Sequence, residues 1–114
     1  MIQPADDSAL QGAIGGQITG TAYTPAKADG GRILETSSAA AVTITISPSS
    51  NTAWHIGTIM QFYQGGTGQI TITAGAGVTL RSNGGKLKTV GQYSVINARM
   101  RATDEWVIWG DTLL

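Results

Sequence analysis

Apolar and hydroxyl side chains alternate one by one through much of this sequence, and that period of two constrains the fold most. In the segment AVTITIS, Val42, Ile44 and Ile46 fall on one face of an extended chain, whereas Thr43 and Thr45 fall on the other. Such alternation is typical of a half-buried β-strand. Turn signals rich in glycine recur at roughly 8 to 12 residue spacing, as they do in all-β sandwiches and barrels. The pattern predicts an all-β fold, either an antiparallel β-sandwich or a small jelly-roll-like barrel.

The longest strand candidate is IGTIMQFYQ, residues 56–64, which carries large side chains on both of its faces. A strand of that kind is expected at the centre of a sheet that is covered on both sides. Further strands are predicted in QITIT, VTLR, KLKTV, QYSVINARM and EWVIW. No segment after residue 22 has a convincing helical period, so residues 23–114 are predicted to form one β-sandwich body.

Residues 1–22 differ from the rest of the chain and are interpreted as an N-terminal extended arm. Glycines at positions 12, 15 and 16 disfavour a helix there, because each costs about 1 kcal/mol relative to alanine. The segment has too few large apolar residues to form its own core. Its apolar side chains are predicted to dock on a partner or on the body, with a disordered tail as the alternative: Ile2, Leu10, Ile14 and Ile18.

The composition favours self-association. Charged residues make up 12% of the chain and its formal net charge is zero, whereas an ordinary soluble domain carries about 25% charged residues. Zero net charge promotes association between molecules. A body of about 90 residues is also marginally stable alone, since small domains bury a smaller share of their surface. We therefore expect a homo-oligomer, and the weak charge makes a nucleic-acid partner improbable.

The charges are unevenly distributed along the sequence. Between Thr36 and Thr103 there is no acidic residue, and the acids lie before and after that stretch. The two signs are expected to meet within or between subunits. A nucleic-acid footprint is the alternative, but five cations without a basic overall balance fall short of the usual signature. These five cations are Arg81, Lys86, Lys88, Arg99 and Arg101.

Several classes of protein are disfavoured by what the sequence lacks. It has no cysteine, so disulfides and thiolate metal sites are not available. The start MIQPADDSAL has neither a basic n-region nor an apolar h-region, so we do not expect a secretory signal. No apolar run approaches the roughly 18 residues of a membrane span, and no membrane partner is expected. The chain is expected to be made in the cytoplasm and to leave it only within a larger assembly.

The glycine-rich run QFYQGGTGQITITAGAGVTL does not fit a nucleotide-binding loop. A dinucleotide fingerprint G-x-G-x-x-G would need a third glycine where Thr71 stands, and a helix would have to follow. The Walker pattern also fails, because Gly85 and Lys86 are followed by Leu87. We interpret these glycines as turn residues between strands, and no cofactor is expected.

Catalytic groups are scarce, so the chain is not expected to be an enzyme. His55 is the only histidine, which argues against a histidine-based metal site. Asp104 and Glu105 are neighbours on a presumed strand, so their side chains point to opposite faces and cannot form a facing carboxylate pair. No catalytic or metal-binding residues are assigned.

The aromatic side chains are the remaining candidates for a site. Trp106 and Trp109 lie three residues apart in EWVIW and so on opposite faces of one strand. Phe62 and Trp106 are predicted to fill the core or an oligomer interface. Trp54, Tyr63 and Trp109 are the candidates for exposed aromatics that could stack on a sugar ligand. Burial of most of them in the core or in a subunit contact is the alternative.

Three stretches of the chain carry motifs that occur together in one family of proteins. One stretch has the pattern D-x-G-x-I, another is IGTIMQFYQGGTGQITITAGAGVTLRS, and the last is the terminal DEWVIWGDTLL. The matching residues are Asp29, Gly31, Ile33, Gly57, Phe62, Gln64, Gly66, Gly68, Gly77, Val78, Leu80, Trp106, Val107, Gly110 and Asp111. On these motifs, about residues 23–113 resemble a module of bacteriophage virion proteins that is found in tail-fibre segments, head fibres and capsid decoration proteins.

The resemblance implies an all-β structural module that is usually trimeric and has no enzymatic role. It carries no catalytic or ligand-binding residues. Because the module is nearly the whole chain, we expect a homotrimeric capsid decoration or head-fibre protein in the virion, attached by the arm to the major capsid protein or another virion protein. The alternative is a tail-fibre-associated module that binds a receptor or a host-surface glycan.

Overall fold

The computed structural model describes residues 16–114, which form eleven short strands. Three single helical turns, Lys27–Asp29, Ser49–Thr52 and Asn83–Gly85, lie in the connections. The strands in chain order are β1 (Gly16–Ile18), β2 (Ala22–Tyr23), β3 (Ile33–Thr36), β4 (Val42–Ile46), β5 (Ile59–Gln64), β6 (Ile70–Ala74), β7 (Thr79–Ser82), β8 (Lys88–Thr89), β9 (Val95–Ala102), β10 (Glu105–Gly110) and β11 (Thr112–Leu113).

The strands form two sheets packed face to face, which confirms the predicted all-β sandwich. Sheet A has six strands in the order β1-β3-β5-β9-β10-β7, and sheet B has five in the order β11-β8-β6-β4-β2. Val42, Ile44 and Ile46 point inward and are buried, whereas Thr43 is exposed. The alternation read from the sequence is therefore the alternation between the core and the outside of sheet B.

Strand direction differs from the antiparallel arrangement that was predicted. Five of the nine strand pairings among the described residues are parallel. From β1 to β6 the chain passes alternately between sheets A and B, and each strand lies parallel to the one before it in the same sheet. The glycine-rich turns thus join strands of different sheets. A hairpin turn would have made neighbours antiparallel, whereas crossing to the other sheet and back makes them parallel.

Two of these stacked coils follow each other at a constant step. Leu34 pairs with Phe62 in sheet A and Ile44 pairs with Ile72 in sheet B, and both steps span 28 residues. The same step pairs VTITI of β4, residue by residue, with ITITA of β6. Like residues therefore stack on like residues, with the isoleucines inside and the threonines outside.

Three glycines of the run GGTG allow the turns of these coils to stack. A Cβ atom on Gly68 would lie 1.8 Å from the carbonyl oxygen of Ala40, and one on Gly66 would lie 2.2 Å from that of Ser38. Gly65 and Gly68 donate backbone hydrogen bonds to Thr36 and Ser38, at 3.0 and 2.9 Å. The glycines thus have a structural role, because any side chain would push the two turns apart.

The C-terminal strands close the sandwich in a different way. Strands β9 and β10 form an antiparallel hairpin beside β5, while β7 lies at the far edge of sheet A, parallel to β10. Strands β8 and β11 extend sheet B. We call residues 16–74 the stacked half and residues 75–114 the hairpin half.

The core contains Phe62 and Trp106, both fully buried. Trp106 meets the edge of Trp54, with ring centroids 5.1 Å apart and planes at 82°. Trp54 is also buried, which corrects the expectation that it is exposed to a ligand. The indole of Trp54 donates to the Ser47 carbonyl at 2.9 Å, so its one polar atom is satisfied without solvent.

The predicted boundary between arm and body also needs correction. Strand β1 pairs with β3 and β2 pairs with β4, so the body includes residues from Gly16 onward. Ile18 is 4% exposed and belongs to the core, so it is not available to dock on another protein. The other predicted arm residues, Ile2, Leu10 and Ile14, lie outside the described residues.

Candidate functional site: the outer face of sheet A

The side chains on the outer face of sheet A stand in rows that cross its strands. The middle row contains Ile33, Gln61, Asn97 and Trp109, one from each of β3, β5, β9 and β10. One neighbouring row contains Glu35, Tyr63 and Val95. The row on the other side contains Ile59, Arg99, Val107 and Arg81. Apolar and aromatic side chains therefore occupy much of this face.

No third layer among residues 16–114 covers this face. Ile59 is 41% exposed and Trp109 is 44% exposed, although both lie within a six-stranded sheet. Strand β5 has its inner residues Met60 and Phe62 fully buried against the core. The sequence predicted that this strand is covered on both sides, and the described residues cover only one.

Hydrogen bonds hold the middle row in place. The Gln61 amide Nε2 donates to Asn97 Oδ1 at 2.8 Å, and Asn97 Nδ2 donates to the Trp109 carbonyl at 3.3 Å. The two amides therefore satisfy each other in part without water. A surface with this row can be covered by another molecule at a smaller desolvation cost than one with free amides.

Two tyrosines mark one end of the face. Tyr93, in the turn before β9, is 67% exposed, and its ring centroid lies 6.5 Å from that of Tyr63. Its backbone has φ +73°, a left-handed conformation that is unusual for a bulky side chain. Its amide donates to the Gln64 carbonyl at 2.7 Å, which fixes that conformation. A strained, exposed aromatic is a feature that clusters at functional sites.

The charges on this face are separated along the strands. Beside the tyrosines lie two acidic residues, Glu35 in β3 and Asp111, whose carboxylate accepts the Val95 amide at 3.0 Å. We call this the aromatic-acidic end. The opposite end carries Arg81, Arg99 and Arg101, with Glu105 as the one carboxylate placed among them by β10.

At this basic end, Glu105 is shared by two arginines. Its carboxylate lies 3.2 Å from Arg81 and 2.9 Å from Arg101. The hydrogen bond from Arg81, followed by that from Arg101, holds the pKa of Glu105 below its usual value. Arg99 has no carboxylate within 4 Å in the described part of the chain. The basic end therefore keeps a net positive charge.

The outer face of sheet B has a different chemistry. Its centre is a set of four threonines, in which the hydroxyls of Thr45 and Thr73 are 2.8 Å apart. Lys88 and Leu113 continue the row that starts at Thr43 and Thr71. The described residues place no aromatic side chain on this face, so the two outer faces are chemically distinct.

A cavity of about 290 Å³ adjoins Trp109 at the edge of the sandwich. Asn83, Lys86 and Thr112 line it together with the tryptophan. A second cavity of about 350 Å³ lies beside it, between Leu80, Arg81 and Val107. An exposed indole next to amide, ammonium and hydroxyl groups could bind a small ligand by stacking and hydrogen bonds.

The predicted aromatic site residues thus have two different locations. Tyr63 and Trp109 lie on the outer face of sheet A, and Trp109 is on the face opposite Trp106, as the spacing predicted. Phe62, Trp106 and Trp54 are in the core. Sequence reasoning did not assign Ile59 or Tyr93 to a site, and it named Arg99 as one of five cations in a run without acids. The large residues on both faces of residues 56–64 were the signal for Ile59.

The motif residues that carry the phage resemblance have structural tasks. The Asp29 carboxylate accepts the Tyr23 hydroxyl at 2.6 Å and the Ala26 amide at 2.8 Å, which closes the loop between β2 and β3. Burial, the hydrogen bond to Asp29 and its charge raise the pKa of Tyr23 to about 12. Gly31 has φ +81° and donates to the Ile59 carbonyl at 2.6 Å.

His55 and Asp104, two groups that the sequence analysis weighed for catalysis, lie in connections between strands. His55 is exposed, and Asp104 accepts the Ser49 amide at 2.7 Å near a one-turn helix. Within residues 16–114, no group of three histidine, aspartate or glutamate side chains is placed to hold a metal ion. Nor does this part of the chain contain a helix that is long and apolar enough to cross a membrane.

Comparisons with known proteins do not identify the chain. No family model matches it, and neither does a curated protein or a solved structure. What the chain does is therefore inferred from its own sequence and surfaces.

Proposed function

We propose that the chain is a structural protein of a bacteriophage particle, a homotrimeric capsid decoration or head-fibre protein that binds the outer surface of the head. The observation that carries the proposal is the uncovered outer face of sheet A, on which Ile59 and Trp109 are each about two-fifths exposed. Exposed apolar side chains on an uncovered sheet face favour a role in protein–protein contact.

The resemblance to phage virion modules agrees with this observation. Among its motif residues, Asp29 closes a loop and Gly68 permits two turns to stack, so these two have structural roles. The low charge of the chain suits a protein that is largely covered in an assembly. Such a protein acts through the contacts that it makes.

Attachment to a capsid is proposed to be multivalent. Three copies in one assembly can make three weak contacts with the shell at once, and the second and third contacts form at a high effective concentration. The predicted arm residues Ile2, Leu10 and Ile14 are the proposed contacts with the major capsid protein. Tight attachment then does not require one strong site.

Co-sedimentation with capsids tests the proposal. The purified chain is mixed with shells assembled from the major capsid protein of the phage that encodes the chain, and with an unrelated capsid as control. We expect saturable binding to the first only. A variant that lacks residues 1–15 is expected to keep its oligomeric state and its fold but to lose capsid binding. Absence of binding by the full chain contradicts a decoration role.

A tail-associated module that binds a host-surface glycan is the second candidate function. The cavity beside Trp109, with Asn83, Lys86 and Thr112, is the observation that favours it. It predicts saturable binding to a surface polysaccharide, lost in Trp109→Ala and kept in Trp54→Phe, whose indole lies in the core. A glycan array without any signal contradicts this candidate.

A further inference from the structure

We propose that the outer face of sheet A is the contact between copies of this chain, with three copies arranged head to tail around a three-fold axis. The number of copies rests on the proposed function, whereas the choice of face rests on the structure. In this arrangement the three outer faces look toward the axis. Their strands run around it, so that the end of one face meets the beginning of the next.

The first argument is the chemistry of the face. Ile59, at the start of β5, and Trp109, near the end of β10, stay about two-fifths exposed on a sheet whose other side is packed against the core. The middle amides of Gln61 and Asn97 are already paired, so covering them leaves few polar groups unsatisfied. The outer face of sheet B has four threonines at its centre, and its exposed Leu113 lies on the edge strand β11.

The second argument is that the two ends of the face are complementary to each other. The basic end presents Arg99 and Arg101, and the aromatic-acidic end presents Tyr93 and Asp111. Arginine pairs with carboxylates and stacks on aromatic rings, so it suits both groups at the opposite end. A head-to-tail contact brings the two ends together in every copy, whereas a side-by-side contact in parallel would place arginines against arginines.

The third argument is the size of the face. Strands β5 and β10 have six residues each, which gives the face a length of about 20 Å along the strands. Three such faces enclose a prism whose walls lie about 6 Å from its axis. Side chains fill about 5 Å on each side of a sheet, because packed sheets lie about 10 Å apart. Three copies therefore close with a filled interior, and a head-to-tail contact that closes makes a ring.

Crosslinking tests the arrangement, because the chain has no cysteine of its own. In the double variant Tyr93→Cys/Arg101→Cys the two thiols lie at opposite ends of β9, about 20 Å apart along that strand in one chain. A short bismaleimide cannot join them within a chain. Head-to-tail copies are expected to give a covalent trimer, and each single variant alone is expected to give none. A covalent dimer as the end product overturns the three-fold arrangement.

Light scattering over a dilution series measures the mass of matched charge variants. Arg99→Glu, on the outer face of sheet A, is expected to lower the trimer fraction at least ten-fold at micromolar concentration. Lys88→Glu changes the same charge on the outer face of sheet B and is expected to leave the mass unchanged. Equal effects of the two variants, or a monomeric unmodified chain, overturn the proposal.

The failures of the two proposals can be told apart. A trimer that crosslinks as expected but does not bind capsids supports this inference and contradicts the decoration role. A monomer that binds capsids contradicts this inference and the multivalent attachment of a trimer, but it supports the capsid-binding role. Circular dichroism of each variant establishes that a change in mass does not come from loss of the fold.

Discussion

The stacked half and the hairpin half cover the same core by different means. In the stacked half, parallel strands repeat at a 28-residue step and their turns touch backbone to backbone at Gly66 and Gly68. In the hairpin half, side chains make the specific contacts, as Glu105 does with two arginines and Trp106 with Trp54. The difference teaches that one half tolerates almost no added volume at its turns, whereas the other depends on particular side-chain partners.

The largest effect is expected when volume is added to the stacked turns. Gly68→Ala puts a Cβ 1.8 Å from the Ala40 carbonyl oxygen, so the two turns must separate. We expect a loss of about 3 kcal/mol or more in the free energy of unfolding. Gly91→Ala is the matched control in the hairpin half, because nothing lies within 4 Å of its Cβ position.

Urea unfolding at one protein concentration measures both variants. Gly91→Ala is expected to change stability by no more than about 1 kcal/mol, since alanine chiefly restricts the unfolded chain there. Similar losses in the two variants would mean that the close stacking of turns does not distinguish the halves.

The next effect is expected at the buried polar contact that joins the halves. The Thr89 hydroxyl donates to Gln64 Oε1 and accepts the Ile70 amide at 2.9 Å. Thr89→Val keeps the shape of the side chain but leaves both partners unsatisfied in the core, so we expect a loss of about 2 kcal/mol. Thr45→Val, on the outer face of sheet B, is the control and is expected to cost less than about 1 kcal/mol. Thermal unfolding compares the two, and equal changes would contradict the role of Thr89.

A pH-dependent effect is expected in the stacked half. The pKa of Tyr23 is about 12 in the folded chain, whereas the ordinary pKa of a tyrosine is 10.0. The folded state thus favours the neutral phenol, and this contribution to stability is complete below pH 10 and lost as the pH rises toward 12. Tyr23→Phe cannot titrate, so its stability should fall less over that interval. Parallel pH curves for the two proteins, from urea unfolding between pH 8 and 12, would contradict this expectation.

The smallest effect is expected in the hairpin half, at the exposed cluster around Glu105. Its pKa is lowered by Arg81 and Arg101, so its contribution is present above the ordinary pKa of 4.5 and lost as the pH falls through the lowered value. Glu105→Gln should therefore shift the melting temperature slightly at pH 7 and not at pH 2. Because the pair is exposed, 0.5 M salt should reduce the shift further. A shift that salt does not change would point to packing as its cause.

Much of the fold could be predicted from alternation alone. The inward Val42, Ile44 and Ile46 and the opposed Trp106 and Trp109 follow from the period of two. Strand direction could not be predicted, because alternation is the same in parallel and antiparallel sheets. A turn between two sheets also has the same residues as a hairpin turn. The similarity of VTITI and ITITA at a 28-residue distance was the one sequence sign of parallel stacking.

The candidate site was predictable only in part. Tyr63 and Trp109 were identified as aromatics, but their position on one face depends on the pairing of β5, β9 and β10. The burial of Trp54 depends on its contact with Trp106, which is 52 positions away in the sequence. Contacts of that range are set by the packing of the two sheets and leave no local signal.

The 28-residue step between two coils of the stacked half also defines a structural unit of constant length. Each coil adds one strand to each sheet, which lengthens the sandwich by about 4.8 Å in the direction across the strands. Strand pairing joins the hairpin half to the last coil, through β5 with β9 and β6 with β8. Duplication of one coil would therefore produce a longer protein that ends in the same hairpin half. Chains of this kind could then differ in length by whole coils.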